Sequence, residues 1–162
     1  KGWGGWARFP TLKELRAMAY ISIVAGGHGL TWYTYASARP SPNNFGAAED
    51  PQGWANLASV TRELASIQDD LASRTSRSLL KATVLNGPKH DVFGNGSIHA
   101  ILKEGVDGRL LIAVNTAPES VKAQFSLSGV ECQEVFQKRS VKCMNGFIDD
   151  FDADEVHVYR IR

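Results

Sequence analysis

The chain has 162 residues, a formal net charge of +1 and 22% charged residues, which is the size of one domain or one and a half. Its near-neutrality excludes an electrostatic case for nucleic acid, an anionic membrane or an acidic substrate as partner. The hydrophobic fraction of 43% is that of a globular protein, and no apolar run is long enough to span a bilayer.

In chain order, the first signal is a capping box, Thr11-Leu12-Lys13-Glu14. In such a box the threonine hydroxyl accepts from the N3 amide, and the N3 carboxylate reaches back to the threonine amide. The helix is expected to run through Ala25, with Leu12, Leu15, Met18, Ala19 and Ile23 along its apolar side. Gly26-Gly27 end it. The β-branched and aromatic run over 29–35 then reads as a strand. A single strand between two helices has both edges unpaired, so this front third needs partner strands from outside the chain. A polar loop over 36–50 follows. Asp50-Pro51 supply an N-cap and a first-turn proline. In the second helix Trp54, Leu57, Val60, Leu64, Ile67 and Leu71 recur at steps of three and four, with Arg62, Glu63, Gln68 and Asp69 on the solvent side.

Beyond Ser78 the periodicity changes to strands and tight turns. Segments over 79–85, 97–104, 109–115, 121–127, 131–136, 139–143 and 155–161 alternate or are β-branched. Asn86-Gly87, Asn95-Gly96, Asp107-Gly108, Ala117-Pro118 and Asn145-Gly146 separate them. Short strands at this spacing predict an antiparallel sandwich. In an α/β barrel the strand-to-helix loops lie at the catalytic face, a position the 36–50 loop would hold, while 26–28 would be a tight turn of the opposite face. The expected fold is α/β followed by all-β. Residues 1–78 form the closing segment of a (β/α)8 barrel and residues 79–162 an antiparallel β-sandwich.

The two cysteines, Cys132 and Cys143, are placed by hairpin arithmetic. If Gln137-Lys138 form a two-residue turn, Phe136 faces Arg139 and Cys132 lands opposite Cys143. Opposed residues lie ~4.5–5.5 Å apart at Cα, within reach of a disulfide. A cross-strand disulfide implies an oxidising compartment and secretion; two buried free thiols are the alternative. Asn95-Gly96-Ser97 fits the N-glycosylation triplet, a pattern that also arises often by chance.

No catalytic set emerges. His28, His90, His99 and His157 show no metal-ligand spacing. The acidic run over 149–155 lacks the glycine and distant bidentate glutamate of a calcium loop and reads as a solvated turn before the last strand. There is no phosphate-binding glycine loop, and neither cysteine has a basic or helix-terminal setting. Hence no catalytic residue, metal or cofactor is assigned. What remains is aromatic and polar: Trp3, Trp6, Trp32, Tyr33 and Tyr35 flank a loop carrying Arg39, Asn43 and Asn44. Sugar rings offer apolar C–H faces to aromatic rings and hydroxyls to polar side chains. Packing is the commoner fate of strand aromatics.

Arg8-Phe9-Pro10-Thr11-Leu12-Lys13-Glu14-Leu15-Arg16, followed by Ala25-Gly26-Gly27-His28-Gly29-Leu30-Thr31-Trp32-Tyr33-Thr34-Tyr35, resembles the last helix–strand passage of retaining (β/α)8-barrel glycoside hydrolases. Phe147-Ile148-Asp149-Asp150-Phe151 through Val156-His157-Val158-Tyr159-Arg160-Ile161, with Arg109-Leu110-Leu111-Ile112-Ala113-Val114-Asn115, resembles the small β-sandwich that follows such barrels. The resemblance implies two catalytic carboxylates ~5–5.5 Å apart, both at positions before Lys1. No acid here matches them, and Glu14 is committed to its capping box. The resemblance makes Trp32 the strand-eight aromatic that floors the sugar site, with Tyr35 and Trp3 as further residues of the same pocket. It also reads Trp3-Gly4-Gly5-Trp6 as the loop leaving the strand that bears the nucleophile.

The leading expectation is therefore the C-terminal piece of a secreted glycosidase. Its partners would be a carbohydrate substrate and the remainder of the barrel, in the same or another chain, with neither nucleic acid nor membrane, and it would be inactive alone. The alternatives are a carbohydrate-binding sandwich, which requires exposed coplanar aromatics, and a purely structural sandwich. Phe93, Phe125, Phe136 and Phe147, with no tryptophan, favour core filling.

Overall fold

The computed structural model describes residues 9–32, 50–78, 80–127, 131–143 and 146–162. Among the described residues three helices precede eight strands: α1 (Leu12–Val24), α2 (Pro51–Ser66), α3 (Gln68–Ala72), β1 (Lys81–Asn86), β2 (Ile98–Lys103), β3 (Arg109–Asn115), β4 (Val121–Ser126), β5 (Glu131–Glu134), β6 (Ser140–Lys142), β7 (Phe147–Phe151) and β8 (Val156–Ile161). The strands form a three-stranded sheet in the order β1-β4-β7 and a five-stranded sheet in the order β2-β3-β8-β5-β6. Every pairing between the named strands is antiparallel. The sandwich expected from the turn signals is present.

The two faces of β3 explain the architecture. Leu111 and Ala113 point into the sandwich with Leu102, Phe125, Phe147, Phe151, Tyr159 and Ile161. Leu110, Ile112 and Val114 point the other way, with Val156 and Val158, against Tyr20 and Ile67. Alternate strand residues face opposite sides, so the unbroken apolar run Leu110–Val114 needs cover on both. The small sheet covers one face and the helices the other, giving three layers. Aromatic rings fill the inter-sheet space: Phe147 lies 4.7 Å from Tyr159 and 5.1 Å from Phe125, centroid to centroid.

The helices are tied to the large sheet by polar contacts as well. Arg16 donates to Glu63 (2.7 Å) and to the Val156 carbonyl (2.7 Å), while the Tyr20 hydroxyl donates to the same Glu63 oxygen (2.8 Å). The Arg16 guanidinium thus joins α1 to both α2 and β8. Burial, reinforced by Glu63, raises the Tyr20 phenol far above its ordinary value. In α3, Asp70 takes both guanidinium nitrogens of Arg160 (2.9 and 2.7 Å) and the Val106 amide (2.8 Å). The Arg160 hydrogen bonds outweigh burial and hold that carboxyl below its usual range. The chain then runs beside β2, where Ser76 donates its amide to Leu102 (2.7 Å) and Arg74 accepts from Glu104 (2.9 Å).

Several expectations are corrected. The capping box forms, with the Glu14 carboxylate 2.8 Å from the Thr11 amide, but Leu12 and Met18 are exposed. The buried face is Leu15, Ala19 and Tyr20, because α1 must meet both α2 and the sheet. Trp54 is exposed and Glu63, expected on the solvent side, is engaged. The second helix also breaks at Ile67, leaving α3 separate. Of the strand expected over 29–35, residues 29–32 form no strand, and 33–35 lie outside the described residues. The acidic run is not one solvated turn: Asp149 and Asp150 belong to β7, and only 153–154 turn.

The disulfide Cys132–Cys143 is formed, with Cα atoms 5.8 Å apart, but by a different register. Cys132 pairs with Val141, so Cys143 lies two residues beyond the direct partner. The turn is longer than expected: the Glu134 amide donates to the Arg139 carbonyl (2.8 Å) and Lys138 takes a positive φ of 55°. The buried Glu134 carboxylate fixes this turn by accepting the Gln137 amide, and it also accepts the Val158 amide at 3.3 Å.

Candidate functional site

The sequence-derived site residues separate in the structure. Trp3 and Tyr35 lie outside the described residues, as do Trp6, Tyr33, Arg39, Asn43 and Asn44. Trp32 is described and half-buried. With Phe9, Leu30 and Leu64 it packs against Leu15, Ala19, Leu57 and Val60. This cluster lies between α1 and α2 and is distinct from the one the helices share with the large sheet.

Local chemistry accounts for the Trp32 setting. Asp50 caps α2 by accepting the Gly53 amide (2.9 Å), which places proline in the first turn. A Cβ on Gly53 would lie 2.5 Å from the Phe9 ring, so glycine is what lets Phe9 lie on the helix. Phe9 and Leu30 in turn flank the ground on which Trp32 rests. Trp32 is thus a partly buried ring packed on the α1–α2 cluster. No carboxylate pair is brought to it by any contact among the described residues.

A second cluster brings Arg139, Asp149, Glu155, His157 and Tyr159 together, and sequence reading missed it. Asp149 of β7 accepts from Arg139 and from the Tyr159 hydroxyl, with His157 Nδ1 at 3.3 Å. His157 Nδ1 lies 2.9 Å from the Tyr159 hydroxyl and Nε2 lies 3.3 Å from Glu155. Burial would raise the Asp149 carboxyl, but hydrogen bonds from His157, Arg139 and Tyr159 together hold it well below the usual carboxylate range. Burial and the hydrogen bond to Asp149 push the Tyr159 phenol far up. A histidine between two carboxylates invites comparison with a catalytic triad. Here both ring nitrogens are engaged and the side chain is 3% exposed. No face of the ring is left for a substrate, so the cluster is an inter-sheet tie. Its signal was available in the alternation Phe147-x-Asp149-x-Phe151 beside His157-x-Tyr159-x-Ile161, which sets polar residues among core positions.

Of the remaining histidines, His28 and His90 are exposed and His99 is half-buried in β2. Among the described residues no group of three or more His, Cys, Asp or Glu side chains could hold a metal ion, and every buried side-chain nitrogen and oxygen has a partner. No helix among them is long and apolar enough to cross a membrane. On the sandwich, Phe125, Phe147, Phe151 and Tyr159 are buried and Phe93 is exposed.

No protein-family model matches the sequence, and no curated protein matches it. Solved structures do match in fold. An α-amylase from Geobacillus thermoleovorans, complexed with acarbose, superposes with a TM-score of 0.59 at 13% identity over 93% of this chain and 33% of that one. AmyP in complex with maltose gives 0.55 at 9% identity, over 93% of this chain and 35% of that one. An AmyP variant with maltotriose gives 0.56 at the same identity and shares of the two chains. The chain therefore spans about a third of the length of these enzymes. Its antiparallel sheets have the fold of the amylase C-terminal β-sandwich.

Proposed function

We propose that this chain is the C-terminal part of a secreted glycoside hydrolase acting on α-linked glucose oligosaccharides. Residues 1–78 close a (β/α)8 barrel, and residues 79–162 form a structural β-sandwich. The catalytic carboxylates lie in the remainder of the barrel, and Trp32, with Tyr35 and Trp3, lines the sugar-binding cleft. The observation that carries the reading is the extent of the fold match. It takes in 93% of the chain at once, helices and sandwich together, in enzymes crystallised with acarbose, maltose and maltotriose. The contacts of Arg16, Tyr20 and Asp70 give this joint placement its physical basis, since they bind helices and sheet into one unit.

The test is hydrolysis of maltotriose and soluble starch by the purified 162-residue chain. The expected result is none above background, since no acid in the described residues is paired for the reaction. Turnover that disappeared on mutating an acid of this chain would overturn the proposal. The sandwich as a carbohydrate-binding module is the second reading. It is disfavoured by the burial of Phe125, Phe147, Phe151 and Tyr159, which leaves the described sandwich without a platform of coplanar rings. A glycan array probed with the full chain would support it only if binding survived Trp32→Ala.

A further inference from the structure

The loop between β1 and β2 presents apolar side chains to solvent and yet is rigidly built. Val92 is 71% and Phe93 86% exposed. The Asp91 carboxylate accepts the amides of Phe93 and Asn95, each at 2.9 Å, and the Asp91 amide donates to the Asn95 carbonyl (2.8 Å). Gly94 takes a φ of +84° and closes the turn on the Asp91 carbonyl (3.1 Å). Thr116 ties the loop to the next turn through Asp91, at 3.4 Å. The tip is therefore held in one shape, with Asn95 exposed on it. Among the described residues the Asn95 side-chain nitrogen makes one long hydrogen bond, 3.5 Å to Asp91.

Asn95-Gly96-Ser97 is also an N-glycosylation triplet, and the disulfide Cys132–Cys143 is of the kind that forms in the oxidising compartments where such transfer occurs. We infer that Asn95 is the acceptor for an N-linked glycan whose first sugar lies against Phe93. The aromatic stands two residues before the acceptor on a turn with fixed geometry, so its ring is available to the apolar C–H face of that sugar. This accounts for a large apolar side chain left in water. In the transfer, the Asn95 carboxamide nitrogen bonds to C1 of the first sugar of a lipid-pyrophosphate-linked oligosaccharide. The C1–oxygen bond to the pyrophosphate breaks, the lipid pyrophosphate leaves with the electron pair, and the amide gives up one proton. No oxidation or reduction is involved.

The structure also orders the events. Ser97, the third residue of the triplet, is fully buried, and its hydroxyl donates to the Pro88 carbonyl. Its amide donates to Lys89 (3.1 Å) and its carbonyl accepts from Thr116 (2.8 Å). An enzyme that reads this hydroxyl must act before the loop closes on it, so transfer precedes folding of the β1–β2 connection.

The test is synthesis of the full chain into microsomes behind a cleavable leader, read by mass before and after peptide-N-glycosidase. One glycan is expected on the native chain and on Ser97→Thr, and none on Asn95→Gln. Adding microsomal transferase to the folded chain is expected to leave it unmodified. Removing the glycan is expected to lower the melting temperature of the native chain but not that of Phe93→Ala. An unmodified native chain would overturn the site. An equal loss in Phe93→Ala would overturn the role of the ring.

Discussion

The Tyr159 hydroxyl of β8 donates to the Asp149 carboxylate of β7, so one hydrogen bond crosses from the large sheet to the small one through the aromatic core. Arg139, from the connection between β5 and β6, donates to both oxygens of the same carboxylate. Tyr159→Phe keeps the packing against Phe147 and leaves a buried carboxylate short of a donor. Such a loss costs about 1–3 kcal/mol. Urea denaturation is expected to show a lower midpoint with an unchanged slope.

Acid sensitivity should follow from Asp149 and Asp70, whose folded-state carboxyls both lie below their usual range. A depressed carboxyl contributes stability that is present above its unfolded value, about pH 3.9, and lost as pH falls toward the folded value. The urea midpoint is expected to hold from neutral to mildly acid pH and to fall below about pH 4. Asp149→Asn should lower the plateau and flatten the fall. At the alkaline end, the raised Tyr20 and Tyr159 phenols contribute stability that is lost as pH climbs past about 10.

The disulfide spans a sequence separation of 11. Chain-entropy reasoning for a loop of this size gives about 3 kcal/mol. Cys132→Ser with Cys143→Ser, or reduction with dithiothreitol, is expected to lower stability by about 2–4 kcal/mol. The loss should be concentrated in amide exchange of β5 and β6, at the edge of the large sheet.

Much of this was legible in the chain itself, and the failures have physical causes. The capping box, the N-cap at Asp50 and the hairpin turns are local signals, and they place α1, α2 and most strands to within a few residues. The Cys132–Cys143 pairing is right although the register behind it is off by two, because Glu134, a buried acid, caps a longer turn with Gln137. Met18 and Trp54 have the spacing of buried residues but are exposed. Periodicity reports a face without saying whether its neighbour is in the chain. The strand alternation marks Asp149, His157 and Tyr159 as polar residues at core positions, but does not show that they meet, because the contact joins two different sheets.

Gly53→Ala tests the ground beneath Trp32. In an exposed helix this change gains about 1 kcal/mol. Here the added methyl would meet the Phe9 ring at 2.5–2.8 Å, so the sign reverses and a loss of about 1–3 kcal/mol is expected. Thermal unfolding of the variant measures it.

Trp32→Ala in the complete enzyme should separate packing from binding. Loss of one stacked ring is worth about 0.5–1.5 kcal/mol, or about a two- to tenfold rise in KM for maltotriose, with a smaller change in kcat. Trp32→Phe keeps an aromatic face and should recover most of that loss. An unaltered KM in Trp32→Ala would remove this residue from the sugar cleft.

The most direct measurement is the mass and activity of the native species, isolated from its source with an antibody raised against the full chain. The proposal predicts that the epitope travels with a barrel of roughly 250 residues, in the same polypeptide or a co-purifying one, and that this material hydrolyses starch. A lone 17.7 kDa species with no companion and no hydrolase activity would contradict it.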